Sequence, residues 1–172
     1  MRIGTSVVVI LGAASLLAAC GKSGGASSTA SADQPSAPAE PASAPAALTD
    51  AQKKALLAEL PAAYQTADLD SGQAKFALCK SCHTAVKDGG DMTGPNLHGV
   101  FGRKAGSKEG FAYSDALKAS GITWDADKLN QWLTNPKGLV PGTKMTFVGL
   151  QDPKDRTDLI AYLKTITSDP KS

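Results

Sequence analysis

Cys79-Lys80-Ser81-Cys82-His83 sets two thiols three positions apart, with an imidazole directly after the second. Wound on a helical turn, such thiols can reach the two vinyl groups of one porphyrin. The imidazole then lies against the iron from the same side. This is the attachment spacing of a c-type haem, held as one covalent group. A structural zinc site would draw on the same residues, but it needs four Cys or His ligands. Beyond the motif, the exported part of the chain offers only His98. A thioredoxin-like redox pair would sit in a βαβ context, and no strand-like alternation follows the motif.

An iron held by His83 has a second axial position. Met145 lies 62 residues further on, in Pro141-Gly142-Thr143-Lys144-Met145. A thioether is a soft ligand that stabilises ferrous iron, so a His/Met pair raises the potential and closes the site. Met92, in a Gly-rich stretch nearer His83, is the other methionine available. A methionine can also merely fill a gap in a core. A loop braced by prolines, rather than a helix face, argues for ligation at Met145.

The elements that must position these groups occupy the C-terminal part of a 172-residue chain. Residues 1–19 read as an export signal: Arg2, an apolar run over Val7–Leu11 and Leu16–Ala19, then Leu17-Ala18-Ala19-Cys20. That tetrapeptide looks like a bacterial lipobox, in which Cys20 is lipidated and becomes the first residue. The alternative is an uncleaved anchor, for which Ile3–Ala19 is near the lower length limit. With Cys20 lipidated and Cys79 and Cys82 in thioethers, none of the three cysteines is left free in an oxidising compartment. Residues 20–47 form an Ala/Ser/Pro linker without a large apolar side chain, too polar and small to fold. It spans roughly 30 Å as a flexible coil and approaches roughly 80 Å if fully extended as PPII. Its simplest role is a spacer; a fuller one is a leash.

Residues 48–67 are a short helical lead-in. Thr49-Asp50-Ala51-Gln52 resembles a capping box, with Leu56, Leu57 and Leu60 on one side and Pro61 as the stop. The haem domain covers 68–169. Asp70-Ser71-Gly72 opens a helix that runs into the Cys79–His83 motif, and helical patterning returns over Ser114–Ser120 and Ala126–Asn135. Pro136, Gly138, Pro141 and Gly142 read as loop. A final helix starts at Asp152-Pro153 and buries Leu159, Tyr162, Leu163 and Ile166. No segment reads as a strand, so the class is all-α, small and loop-rich.

Several stretches together resemble class I cytochrome c of the mitochondrial and alphaproteobacterial type. They are Gly72–Phe76, the CxxCH, Thr93–Lys104, Gly110–Ala116, Gly121–Trp124, Pro141–Met145 and Asp158–Lys164, in the family's order. The resemblance implies helices and loops wrapped around one haem, with the first and last helices crossing near Gly72, Phe76 and Tyr162. It implies that Pro95 offers its carbonyl to the second nitrogen of His83. It implies further that Arg103, Tyr113 and Trp124 hold the propionates, that Thr143 braces Met145, and that Phe147 walls the haem edge. His98 matches a histidine that bonds loop backbone and is not a ligand. Trp132 replaces a tyrosine near the methionine sulfur, and Leu117 replaces an asparagine. An indole N–H only donates, so a drier surround for Met145 is expected.

The family's soluble members ring the haem edge with lysines. Here Lys137 and Lys144 remain, while Ala74, Leu78, Gly138, Leu150 and Gln151 fall on or near such positions. From Asp70 onward 14 Lys and Arg face 11 Asp and Glu, a net +3 before the propionates. Steering by so weak a field is small, and a tether supplying roughly millimolar effective concentration can replace it. The implied role is a membrane-tethered periplasmic electron carrier, not an enzyme. It would work as a monomer between quinol:cytochrome c reductase and a terminal oxidase or other acceptor. The inner membrane is favoured, and no nucleic-acid partner is expected. A haem peroxidase or a haem-based sensor lipoprotein is the alternative. A peroxidase would need an open iron position, and a sensor would exchange its Met145 ligand.

Overall fold

Thr49 opens the first helix by closing a reciprocal cap. Its Oγ1 accepts from the Gln52 N–H at 3.3 Å, and Gln52 Oε1 accepts from the Thr49 N–H at 2.9 Å. The computed structural model describes residues 47–170; the signal segment, Cys20 and the linker up to residue 46 lie outside them. The capped helix α1 spans Asp50–Leu57, one turn shorter than expected. Pro61 disfavours helical backbone at Leu60, and the chain leaves the helix through short bonds from Glu59 to Leu56 and from Leu60 to Leu57. Pro61 then heads a four-residue turn, α2 (Ala62–Gln65), which the sequence pattern did not reveal.

Helix α3 (Leu69–Phe76) starts slightly before the expected Asp70, because Asp68 is its cap. One Asp68 carboxylate oxygen accepts from the Asp70 and Ser71 N–H groups, both at 3.0 Å. After Phe76 the helix becomes a series of turns. The Cys82 and His83 N–H groups share the Cys79 carbonyl, at 3.0 and 2.9 Å, so the motif is wound as tightly as a helix without continuing one.

Helices α4 (Asp115–Ala119) and α5 (Ala126–Thr134) follow the expected spans, capped by Ser114 and Asp125. Gly121, at φ +67, ends the first of these in the left-handed region open to glycine. The stretch expected to be loop contains one helical turn, α6 (Pro136–Leu139). Asn135 closes that turn by accepting from the Gly138 N–H at 2.9 Å, and Pro136 sits at the tolerant first position. Helix α7 (Pro153–Thr167) begins as expected, with Asp152 accepting from the Lys154 and Asp155 N–H groups. Among the described residues the β structure is one isolated bridge between Lys104 and Thr123.

Helix α7 is the hub, touched by α1, α2, α3 and α5. Its burial therefore extends beyond the expected stripe: Leu159, Ile160 and Ala161 are all sealed, while Tyr162 and Ile166 are half-buried. At the α3 crossing a Cβ on Gly72 would overlap the Asp158 carbonyl oxygen and lie 2.6 Å from Tyr162 Cβ. The Phe76 and Tyr162 rings meet there at 5.9 Å. Lys75 pairs with Asp155 at 2.6 Å across the same crossing. On another side of α7 the lead-in adds Leu57, Leu60 and Tyr64 to the same core cluster. Glu59 pairs with the buried Lys164 at 2.7 Å.

Candidate haem site

The turn after α3 carries the two thiols and His83 to one wall of a cavity. Two bonds hold that wall to the loop beyond it: the Gly94 N–H donates to the Cys82 carbonyl at 2.8 Å, and the Leu97 N–H to the Thr84 carbonyl at 2.8 Å. His83 Nδ1 lies 2.7 Å from the Pro95 carbonyl. Burial lowers the His83 pKa more than this bond raises it. The imidazole is therefore neutral at neutral pH, the form in which its other nitrogen can bind a metal.

Burial, with a smaller contribution from Cys82, pushes the Cys79 thiol up to about 11. Reactive dithiols work through a lowered thiol pKa. The shift at Cys79 is the opposite, which removes support from a thiol-exchange reading of this pair.

A second loop brings Met145 to the same cavity. The chain turns at Val140, whose carbonyl accepts from the Thr143 N–H at 3.1 Å, with Gly142 at φ +90. Thr143 Oγ1 then accepts from the Met145 N–H at 3.2 Å. Lys144 reaches outward to the Ala112 carbonyl at 2.8 Å. Met92, the competing methionine, is 48% exposed and does not line the cavity.

The cavity measures about 440 Å³, within the ordinary range for ligand and cofactor sites. Cys79, Cys82, His83, Pro95, Arg103, Tyr113, Trp124, Trp132, Thr143, Met145 and Phe147 all line it. Arg103 is oriented by two loop carbonyls, those of His98 at 3.1 Å and Asn96 at 3.2 Å. Burial raises the Tyr113 phenol, against a smaller lowering by Arg103, so Tyr113 stays a hydroxyl donor. Trp124 and Trp132 meet edge-on, with centroids 5.3 Å apart. Leu117 completes that side as a buried apolar residue.

His98 lies outside the cavity lining. The ring does not bond loop backbone as expected: Nε2 stands 3.5 Å from Asp169, and it is the His98 backbone N–H and carbonyl that serve the loop. Sequence reasoning also passed over Leu97, Val100, Leu129 and Leu133, which supply much of the apolar wall. The four-residue spacing of Leu129 and Leu133 was the available signal for two of them.

These residues fit a covalently attached haem. The donors are two thiols, a neutral imidazole and a thioether, and the surrounding walls are leucine, valine and tryptophan. Gly94 packs so closely on His83 that a Cβ there would overlap the imidazole ring. The wall behind the imidazole is thereby filled by backbone.

Known proteins resemble this chain. The family model for cytochrome c matches residues 69–167. Cytochrome c of Gibberella zeae is 58% identical over 101 residues, covering 58% of this chain and 95% of that protein. Cytochrome c2 of Rhodomicrobium vannielii is 50% identical over 103 residues, covering 60% and 82%. The solved structure of cytochrome cH from Methylobacterium extorquens superposes with a TM-score of 0.52 at 56% identity, covering 57% and 98%.

Proposed function

Because this chain belongs to the cytochrome c family, whose members bind covalently attached haem c and carry electrons, we propose a finer role for it. It is a membrane-tethered periplasmic single-electron carrier, not an enzyme. It works between a quinol-oxidising complex and a terminal oxidase or other acceptor. Cys20 supplies the lipid anchor, residues 20–47 the leash, and the inner membrane is the favoured site.

The observation that carries this reading is the convergence of Cys79, Cys82, His83 and Met145 on one apolar cavity. Haem c, when bound, supplies an iron that gains or loses one electron. Cys79 and Cys82 would hold it through thioethers. His83 and Met145 would ligate its iron, with Pro95 fixing the imidazole and Thr143 the methionine loop. Arg103, Tyr113 and Trp124 would receive the propionates. Trp132 and Phe147 would keep water from the ligand side and the edge. Nothing in the site favours a peroxidase or sensor over this.

Two measurements test the reading. The holoprotein should show a six-coordinate low-spin spectrum without added ligand, and Met145→Ala should abolish it. Oxidation by membranes should be faster for the anchored chain than for a Cys20→Ala chain at equal total concentration and moderate salt. Equal rates would rule out the leash as a working part.

A further inference from the structure

Asp91 does not line the cavity, yet it starts a chain of hydrogen bonds that ends on His83. Its Oδ1 accepts from the Asn96 N–H at 2.7 Å. That N–H and the Pro95 carbonyl are the two ends of one peptide group, and the carbonyl end lies 2.7 Å from His83 Nδ1. The peptide is fixed in place. Asn96 is 4% exposed, and its amide donates to Thr84 Oγ1 at 2.6 Å and to the Val86 carbonyl at 3.0 Å. Its Oδ1 accepts from the His98 N–H at 2.8 Å, and its own carbonyl from Arg103 at 3.2 Å. The carboxylate is pinned as well. Its Oδ2 accepts from Lys108 Nζ at 2.9 Å, and the two side chains are only 25% and 26% exposed. The Lys108 bond first, then the Asn96 N–H, hold the Asp91 carboxyl below its ordinary range, so it is an anion at neutral pH.

We propose that Asp91 is a positioning residue for His83: its negative charge, carried through the Pro95–Asn96 peptide, strengthens the pull of the Pro95 carbonyl on the His83 Nδ1–H. Hydrogen bonds to an ionised acceptor are stronger than neutral ones, and bonds in series polarise one another. An anion at the N–H end of a peptide therefore makes its carbonyl end a better acceptor. The imidazole then keeps more electron density at Nε2. The inference rests on the reading of His83 as an iron ligand. A stronger donor favours ferric iron, so Asp91 holds the potential down where a thioether raises it. Lys108 works against this by drawing on the same carboxylate. Half-covered ion pairs add little to stability, so fixing the direction of the carboxylate is the larger effect of that pair.

The test uses full-length holoprotein at neutral pH, equilibrated with a fixed ratio of ferricyanide to ferrocyanide, and the reduced and oxidised haem are read optically. Asp91→Asn keeps an oxygen for the Asn96 N–H and removes only the charge. It should raise the ratio of reduced to oxidised haem by about threefold or more. Asp91→Ala, which removes the acceptor too, should raise it further. Lys108→Met leaves the carboxylate without its counter-charge and should lower the ratio. By NMR of the reduced protein, the His83 Nδ1–H should exchange with deuterium about fivefold faster or more in Asp91→Asn. The rise in Asp91→Asn should persist from about 20 to about 500 mM salt, because screening removes only a field that acts through solvent. A ratio unchanged in Asp91→Asn, a rise that vanishes at high salt, or an unchanged exchange rate would overturn the proposal. So would a fall in both Asp91→Asn and Lys108→Met, the mark of a loop that merely opens to water. If Asp91→Ala yields no holoprotein, the near-isosteric Asp91→Asn decides alone. A wild-type holoprotein without a six-coordinate low-spin spectrum would instead overturn the reading of His83 and Met145 as ligands.

Discussion

The Nδ1 of His83 lies 2.7 Å from the carbonyl oxygen of Pro95, and Gly94, between them in contact, leaves no room for a side chain. A carbonyl only accepts, so Nδ1 carries the proton and Nε2 keeps its lone pair. Gly94→Ala should push the imidazole off this line. The expected result is a poor yield of holoprotein and a weakened low-spin spectrum, read by absorbance after haem attachment. A normal spectrum would show that the ring has room to move.

Gly72 sets the distance between α3 and α7. Ala at this position would meet the Asp158 carbonyl, which is backbone and cannot rotate away. Gly72→Ala should cost about 3 kcal/mol, read as a lowered guanidinium midpoint at unchanged slope.

Asp158 is 1% exposed. Burial alone would raise its carboxyl pKa, but Lys154 at 2.6 Å, the Asp68 N–H at 3.0 Å and the Ser71 hydroxyl together hold it below its ordinary value. A lowered folded pKa means the stabilisation is complete above the ordinary carboxylate range and is lost as pH falls below about 4. Asp158→Asn should therefore cost about 1–3 kcal/mol at neutral pH and flatten the acid limb of the stability profile. Chemical melts at neutral and acid pH would reveal an unchanged limb if another carboxylate governs it.

The parts of this fold are unequally legible in the sequence. Caps are local, so Thr49 and Asp152 announced their helices by residue type alone. Single turns such as α2 and α6 are too short to show a period. The burial of Ile160 and Ala161 depends on elements distant in sequence, so the buried face is wider than the expected stripe. At the site, the thiols, His83, Met145 and the polar residues stood out by chemistry. Leu129 and Leu133 did not, because an apolar helix face looks the same whether it meets another helix or a cofactor.

Lys164 is 8% exposed, pairs with Glu59, and lies 5.2 Å over the Phe101 ring. Glu59→Ala should cost about 1–3 kcal/mol, because it strips a nearly buried ammonium of its carboxylate. Replacing both residues, as Glu59→Ala with Lys164→Met, should recover much of that loss. A double-mutant cycle without coupling would show the pair to be idle.

Trp132 fills the wall beside Trp124. Trp132→Phe should cost about 1–2 kcal/mol and shift both the potential and the methionine–iron absorption band. A potential and band that both stay in place would limit Trp132 to packing.

The lead-in also defines a path for mechanical force. The segment 47–67 enters the fold through Leu57, Leu60 and Tyr64 in the core beside α7, and contributes no residue to the cavity lining. Tension arriving from earlier in the chain is borne first by those contacts and by the Glu59–Lys164 pair. The thiol-bearing turn lies beyond α3, past that point of attachment. A pull on the chain is thus taken up by α7, the longest helix among the described residues, before it can disturb the geometry around His83.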